Sequence, residues 1–178
     1  MRNRVLYESR LDQAKDVDAV DEVAFRRACG KFPTGVTVTT LLDQNGIPRG
    51  ITVNSFASVS LVPPLILVCI GQSSKMTPYW GARCYFGVNV LSLEQRNLSE
   101  QFSGKWEDRF SNVEWSPGQT GVPLISGVLA VFECKTAEVI PAGDHQIIIG
   151  QVVRVECDSK PPLTYADRSY GRLLCDGL

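Results

Sequence analysis

The chain has 178 residues, enough for one domain with a substantial core, and its 44% hydrophobic and 21% charged content excludes an intrinsically disordered chain. Eighteen Lys and Arg face nineteen Asp and Glu with no basic run, so an electrostatic footprint for nucleic acid is missing. No apolar run reaches the ~20 residues of a membrane helix, the longest being interrupted by Pro63 and Pro64, and the N-terminus lacks the apolar centre of a signal peptide.

Residues 1–16 are polar and read as a loose arm ahead of a single domain over 17–175. Residues 18–29 predict a short helix, capped by Asp18, with Asp21 and Glu22 in its first turn and Arg26 and Arg27 in its last. Val20, Val23, Ala24 and Ala28 give it a buried stripe, and Gly30 a stop. Strands are expected at 35–42 and 49–57, joined by a turn at Asn45-Gly46. A connection over 58–63 leads to a fully buried strand at 65–70. Pro78 suits the first turn of a short helix that Ser73, Ser74, Lys75 and Thr77 precede or open. A strand at 85–91 follows, then a helix over 93–102 with Ser92 and Gln95 as capping box and Gly104 as its end; Leu98 and Phe102 face the core. Residues 103–120 read as a long loop carrying Trp106, Arg109, Phe110 and Trp115, of a length more often functional than idle. Two long strands, 126–139 and 146–156, are hinged at 141–144, and the tail with Tyr165 and Tyr170 reads as loop. Strands that do not alternate regularly with helices favour a mainly β, antiparallel barrel over a doubly wound sheet.

Six cysteines (29, 69, 84, 134, 157 and 175) show no C-x-x-C spacing, and His145 is the single histidine, which argues against zinc. Cys69 and Cys134 read as small buried hydrophobes, and all six as free thiols of a reducing cytoplasm.

The polar positions of the paired segments at 33–60 are small: Thr34, Thr37, Thr39, Thr40, Thr52, Asn54, Ser55, Ser58 and Ser60. Such a face suits a flat polar ligand along a sheet, and equally an ordinary half-buried sheet, because threonine favours strands. No G-x-G-x-x-G fingerprint or P-loop is present, so any nucleotide is held in another way. The segment GQSSKMTPYW offers hydroxyls at Ser73, Ser74 and Thr77 and a cation at Lys75 beside a helix start; it reads as a phosphate site or as a capped helix with a solvated lysine. His145 follows Gly143-Asp144 at a turn and is either structural or aimed at a cleft; no G-x-S-x-G elbow supports a hydrolase.

Taken in order, FPTGVTVTT at 32–40, GITVNSFASVSLVPPLILVCI at 50–70, FGVNVLSLEQRNLSEQFSG at 86–104, GVLAVFEC at 127–134, GDH at 143–145 and PLTY at 162–165 resemble the short-chain flavin reductases. That family has the FMN-binding split-barrel fold and supplies the reductase partners of two-component flavin monooxygenases. The resemblance implies an antiparallel split β-barrel with a few short flanking helices. It implies a homodimer that passes a hydride from NADH or NADPH to N5 of FMN or FAD and releases reduced flavin to a separate monooxygenase, without nucleic acid or membrane. By motif, the isoalloxazine ring would contact Thr34, Gly35 and Val36 and the strand Thr52, Val53, Asn54 and Ser55. Ser58 and the segment Ser73, Ser74, Lys75 and Thr77 would take phosphate. Phe86 and Asn89 would line the pocket; Phe102, Ser103, Arg109, Phe110 and Tyr170 would approach it; His145 would face the nicotinamide. One departure is Gly71-Gln72 where the family often has Asn-Arg, leaving Lys75 to supply the charge. Split barrels also include non-catalytic flavin or haem carriers and flavin-dependent oxygenases; here the GDH turn favours the reductase.

Overall fold

The computed structural model describes residues 19–81, 84–105 and 108–174. The N-terminal arm, Asp18, Trp106 and Cys175 lie outside them. The chain divides into two compact units, up to Phe32 and from Pro33 onward.

In the first unit, helix α1 (Glu22–Gly30) is capped by Asp21, whose carboxylate accepts from the Ala24 N–H at 2.8 Å. The cap therefore sits three residues later than the sequence suggests. None of its residues is buried, and Val23 and Phe25 are 68% and 60% exposed, so the expected buried stripe is exposed among the described residues.

The second unit is built on a seven-stranded antiparallel sheet in the order β3-β2-β6-β9-β10-β5-β4. Its strands are β2 (Thr37–Leu42), β3 (Pro48–Val53), β4 (Ala57–Leu61), β5 (Pro64–Gly71), β6 (Tyr85–Val90), β9 (Ala130–Ala142) and β10 (His145–Cys157). The β2–β3 turn is held by Asp43, whose Oδ1 accepts from the Asn45 and Ile47 N–H groups and whose Oδ2 accepts from Arg49. After β3 the chain breaks step. Ser55 Oγ accepts from the Cys69 N–H at 2.9 Å and donates to the Cys69 carbonyl at 3.1 Å. This side-chain bridge ties the β3 end of the sheet back to β5 and closes the curl into a barrel. Residues 57–61 then form strand β4 rather than the expected connection, with a register shift between Ser58 and Ser60.

One core fills the barrel: Leu41, Val53, Ile66, Val68, Ile70, Met76, Trp80, Phe86, Val88, Cys134 and Ile148. Strand β5 was expected to be covered on both faces, yet it alternates, with Ile66, Val68 and Ile70 inside. Gly150 on β10 is required by Phe86, since a Cβ there would lie 2.4 Å from the ring. A second core lies on the opposite face of β2: Val36, Val38, Leu91, Phe102, Phe110, Ile125 and Leu163. Covered on both faces, β2 buries Thr37, Thr39 and Thr40 as well. Their hydroxyls are thus interior groups; Thr37 donates to the Val53 carbonyl, and Thr40 to that of Pro123.

The outer layer comprises helix α2 (Arg96–Ser103), strands β7 (Trp115–Pro117) and β8 (Pro123–Ile125), and a small sheet of β1 (Thr34–Gly35), β11 (Leu163–Ala166) and β12 (Ser169–Arg172). The expected capping box is present: Ser92 and Gln95 bond reciprocally around a 3-10 turn at Leu93–Gln95 that leads into α2. Two expected loops carry strands. The stretch 103–120 contains β7, and the tail is the β11–β12 hairpin, turned by Asp167 and Arg168 at φ 50° and 64°.

Candidate active site

Four segments meet at one end of the barrel because the register brings them there. Thr37 pairs with Val53, which sets Thr34–Val36 beside the exit of β3. Ser55 fastens that exit to Cys69, Cys69 pairs with Ile147, and Gly71 pairs with His145. Gln72 completes the rim. Its N–H donates to the Asp144 carbonyl at 2.8 Å, and its Nε2 donates to the Gly143 carbonyl at 3.0 Å. The departure at Gly71-Gln72 therefore has a structural use: it binds the 73–77 segment to the His145 turn. Sequence reasoning missed this role, for which the unusual pair was the available signal.

Within the rim, Ser74 Oγ accepts from the Met76 N–H, and Thr77 Oγ1 donates to the Gly71 carbonyl. Pro78 sits in a three-residue 3-10 turn, Thr77–Tyr79, and not in an α-helix. The helix N-terminus expected to hold phosphate is therefore absent, and what the segment offers is its side chains. Ser73 and Lys75 are exposed, and Lys75 has no ion pair among the described residues. Asn54 is exposed at the β3 exit. Thr34 Oγ1 is buried without a hydrogen-bond partner. A phosphorylated flavin fits this donor set: uncommitted amide and hydroxyl groups on one side of the rim, and an unpaired ammonium on the other.

His145 is half exposed, and its Nδ1 lies 2.7 Å from Asp144 Oδ1. A carboxylate accepts only, so Nδ1 carries the proton that bridges to Asp144, and Nε2 is left to face outward. The ring lies over Gly71, where a Cβ would meet Nε2 at 3.7 Å, an ordinary van der Waals contact. The left-handed φ of 60° at Gly143 permits the tight turn that presents the histidine.

Other expected site residues are engaged elsewhere. Phe86 is fully buried against Trp80 (ring centroids 5.1 Å apart) and presents nothing to a ligand. Asn89 is also fully buried: its Nδ2 donates to the Val38 carbonyl and to Thr40, and its Oδ1 accepts from the Ile125 N–H, so it anchors β8. Phe102 and Phe110 form an edge-to-face pair at 5.0 Å in the outer core. Arg109 donates to the carbonyls of Gly50 and Gly104; burial draws its guanidinium below the ordinary arginine value, and it serves as a staple. Ser103 donates to the Glu100 carbonyl at the end of α2. Val53 belongs to the barrel core. Thr52 donates to the Ser99 carbonyl, and the Tyr170 hydroxyl meets Ser99 Oγ, so both pack on α2. Gly35 and Val36 flank Thr34, Gly35 exposed and Val36 buried. Ser58 pairs with Ile66, five residues down β5 from Gly71, or roughly 17 Å along the strand. Ser74 and Thr77 are both bonded to the Gly71 carbonyl, so Ser58 is not gathered with them.

A hollow of about 370 Å³ is bordered by 127–131 and 156–158, at the opposite end of β9 and β10 from His145. It shares no residue with the rim, and the exposed Asn54, Ser73 and Lys75 favour the rim.

Residues 29–174 match the family model described as the flavin reductase like domain. A Rhizobium meliloti protein named "Probable flavin reductase" is 46% identical over 153 residues, covering 86% of this chain and 49% of its own length, so the chain spans about half of that relative. Among solved structures, the NADH:FAD oxidoreductase SgcE6 of Streptomyces globisporus, in complex with NAD and FAD fragments, superposes with a TM-score of 0.83 at 38% identity, covering 92% of this chain and 99% of that one. BorF, the flavin reductase component of a bacterial two-component tryptophan halogenase, superposes with a TM-score of 0.79 at 35% identity, covering 88% and 100%. Barrel topology, motif order and these matches agree: the chain belongs to the flavin reductase like family.

Proposed function

We propose that this chain is an NAD(P)H:flavin oxidoreductase that reduces FMN or FAD and releases the reduced flavin to a separate flavin-dependent monooxygenase. The single observation that carries the reading is the rim, where Thr34, Asn54, Ser73, Lys75 and His145 bring uncommitted polar groups together on a barrel of this family. The two nucleotides supply the redox chemistry, a hydride passing from the nicotinamide to flavin N5. The chain's own groups hold and orient. Lys75 and Ser73 take the flavin phosphate by charge-assisted hydrogen bonds. Asn54 and the backbone at the β3 exit face the ring edge where negative charge develops. The His145 ring, oriented by Asp144, would meet the nicotinamide carboxamide through Nε2 and help to stack the nicotinamide on the flavin. No titratable group has to exchange a proton with the reacting carbon, which suits a site whose histidine is tied to a carboxylate.

The reading extends to a homodimer in the cytoplasm. Leu61 and Val62 at the β4–β5 turn are 89% and 92% exposed, which supports association. Cys29, Cys69, Cys84, Cys134 and Cys157 are free thiols, as suits a reducing compartment. No helix among the described residues is long and apolar enough to cross a membrane. The test is nucleotide oxidation at 340 nm with NADH or NADPH, alone or with FMN, FAD or riboflavin. Oxidation should require added flavin. A protein that binds flavin without turning over either nucleotide would instead be a carrier.

A further inference from the structure

The turn that presents His145 is two residues long. Ala142 of β9 pairs with His145 of β10, and Gly143 and Asp144 lie between them. Gly143 has a φ of 60°, whereas Asp144 stays out of the left-handed region, which is the pattern of a type II′ turn. The other common two-residue turn, type I′, needs positive φ at both positions, and aspartate tolerates it. The two forms differ by a flip of the peptide between the central residues. That flip would reverse the Gly143 carbonyl and change the backbone that carries the Asp144 side chain. The sequence Gly143-Asp144 alone therefore leaves the form of this turn open.

Gln72, one residue beyond the end of β5, closes that choice. Its N–H donates to the Asp144 carbonyl at 2.8 Å, and its Nε2 donates to the Gly143 carbonyl at 3.0 Å. One residue from the neighbouring strand thus takes both carbonyls of the turn. The side-chain bond exists only while the Gly143 carbonyl points toward Gln72, as it does in this form. In the same form Asp144 Oδ1 lies 2.7 Å from His145 Nδ1. Gly71, just before Gln72, pairs with His145, and its carbonyl accepts from the Ser74 N–H and the Thr77 hydroxyl. The hold on the turn comes from the same backbone that carries the 73–77 segment.

We propose that Gln72 is a positioning residue for the nicotinamide nucleotide. By bonding the Gly143 carbonyl it selects the turn form in which Asp144 orients His145. The proposal deepens the flavin reductase reading and rests on it. The Gln72 side chain is exposed, so removing its amide leaves no buried group unpaired and costs the fold little. What the amide sets is the share of molecules whose His145 is in the working orientation. A nucleotide that binds that share alone loses apparent affinity in proportion. At saturation the ring is in place, and hydride transfer proceeds as before.

Gln72→Met keeps the length of the side chain and removes the donor. With NADH and FMN, KM for NADH should rise about three- to tenfold, the range of one hydrogen bond. The kcat, the FMN affinity and the melting temperature should change little. In a His145→Ala background the same substitution should add nothing to KM, because the residue through which it acts is gone. A second readout needs no turnover. His145 is the single histidine of the chain, so in protein free of a histidine tag its imidazole NMR signals are unambiguous. They should shift in ligand-free Gln72→Met. Unshifted imidazole signals overturn the proposal, and so does an unchanged KM or an equal rise in both backgrounds. If the wild type oxidises neither NADH nor NADPH, the reductase reading fails, and the imidazole shift alone then decides whether Gln72 sets the His145 turn.

Discussion

His145 is held from two directions, by Asp144 at Nδ1 and by the Gln72 bonds that fasten its turn to the end of β5. Neither hold involves a core, so truncating the ring should leave stability nearly untouched. We expect His145→Ala to lower kcat/KM for NAD(P)H by roughly ten- to a hundred-fold, about 1.4–2.8 kcal/mol, with flavin affinity little changed. Unchanged kinetics alongside a lowered melting temperature would make the residue structural. Lys75 acts on the other ligand. Its ammonium is exposed, so a phosphate contact there falls at the weak end of charge-assisted bonds, about 1.5 kcal/mol. Lys75→Ala should therefore weaken FMN about tenfold and riboflavin hardly at all. Equal losses for the two ligands, measured by fluorescence titration, would move the phosphate site away from the 73–77 segment. By contrast, Cys134 offers no reactivity. Burial, reinforced by the neighbouring Glu133 charge, pushes its thiol up to about 12, so a thiol reagent should leave it unmodified in the folded chain.

At the scale of elements, Glu133 on β9 decides where the loop before β8 lies. Its side chain is fully covered, and its carboxylate accepts from the N–H groups of Gln119 and Thr120 and from the Thr120 hydroxyl. Burial alone would push the carboxyl up, but the Thr120 hydroxyl, these N–H groups and the Arg154 charge outweigh it and hold Glu133 below the ordinary glutamate range. A depressed carboxylate contributes stability that is complete above the unfolded value of about 4.3 and is lost as pH falls through the folded one. Thermal melts should thus fall off below about pH 5. Glu133→Gln, whose NH2 faces one of the two N–H donors while its carbonyl still accepts from the other, should cost about 1–3 kcal/mol at neutral pH and flatten that acid slope. Identical acid slopes in the two proteins would remove Glu133 from the account. Its signal was legible: a lone charge inside the apolar run GVLAVFEC. The long strands, the Asn45-Gly46 turn and the capping box could be read because local chemistry dictates them. The β11–β12 hairpin could not, since Asp167 and Arg168 turn it without the glycine that such φ values favour. Nor could β4, where Ser58 and Ser60 straddle a register shift. Of the site, the rim segments were readable as motifs, but the inward turn of Phe86 and Asn89 depends on which face of β6 meets each core, and strand alternation alone leaves that choice open.

At the scale of the molecule, what one chain leaves uncovered argues for association. Leu61 and Val62 project at the β4–β5 turn, Val153 and Val155 are more than half exposed on β10, and α1 by itself covers none of its apolar residues. Each such side chain left in water forgoes about 1.5–3 kcal/mol of burial, and a tip carrying two of them beside an edge strand is costly for a monomer. Sedimentation at micromolar concentration should find a dimer of about 39 kDa, twice the 19.6 kDa chain. Replacing Leu61 and Val62 together by Asp touches neither core, so the barrel should fold while the dimer dissociates. If the rim is completed by the second chain, flavin affinity should fall with the dimer and recover as protein concentration rises. A substituted chain that stays dimeric would place the interface on another face. A wild-type monomer with full flavin reduction at that concentration would show that the barrel works alone and that its exposed tip serves a different contact.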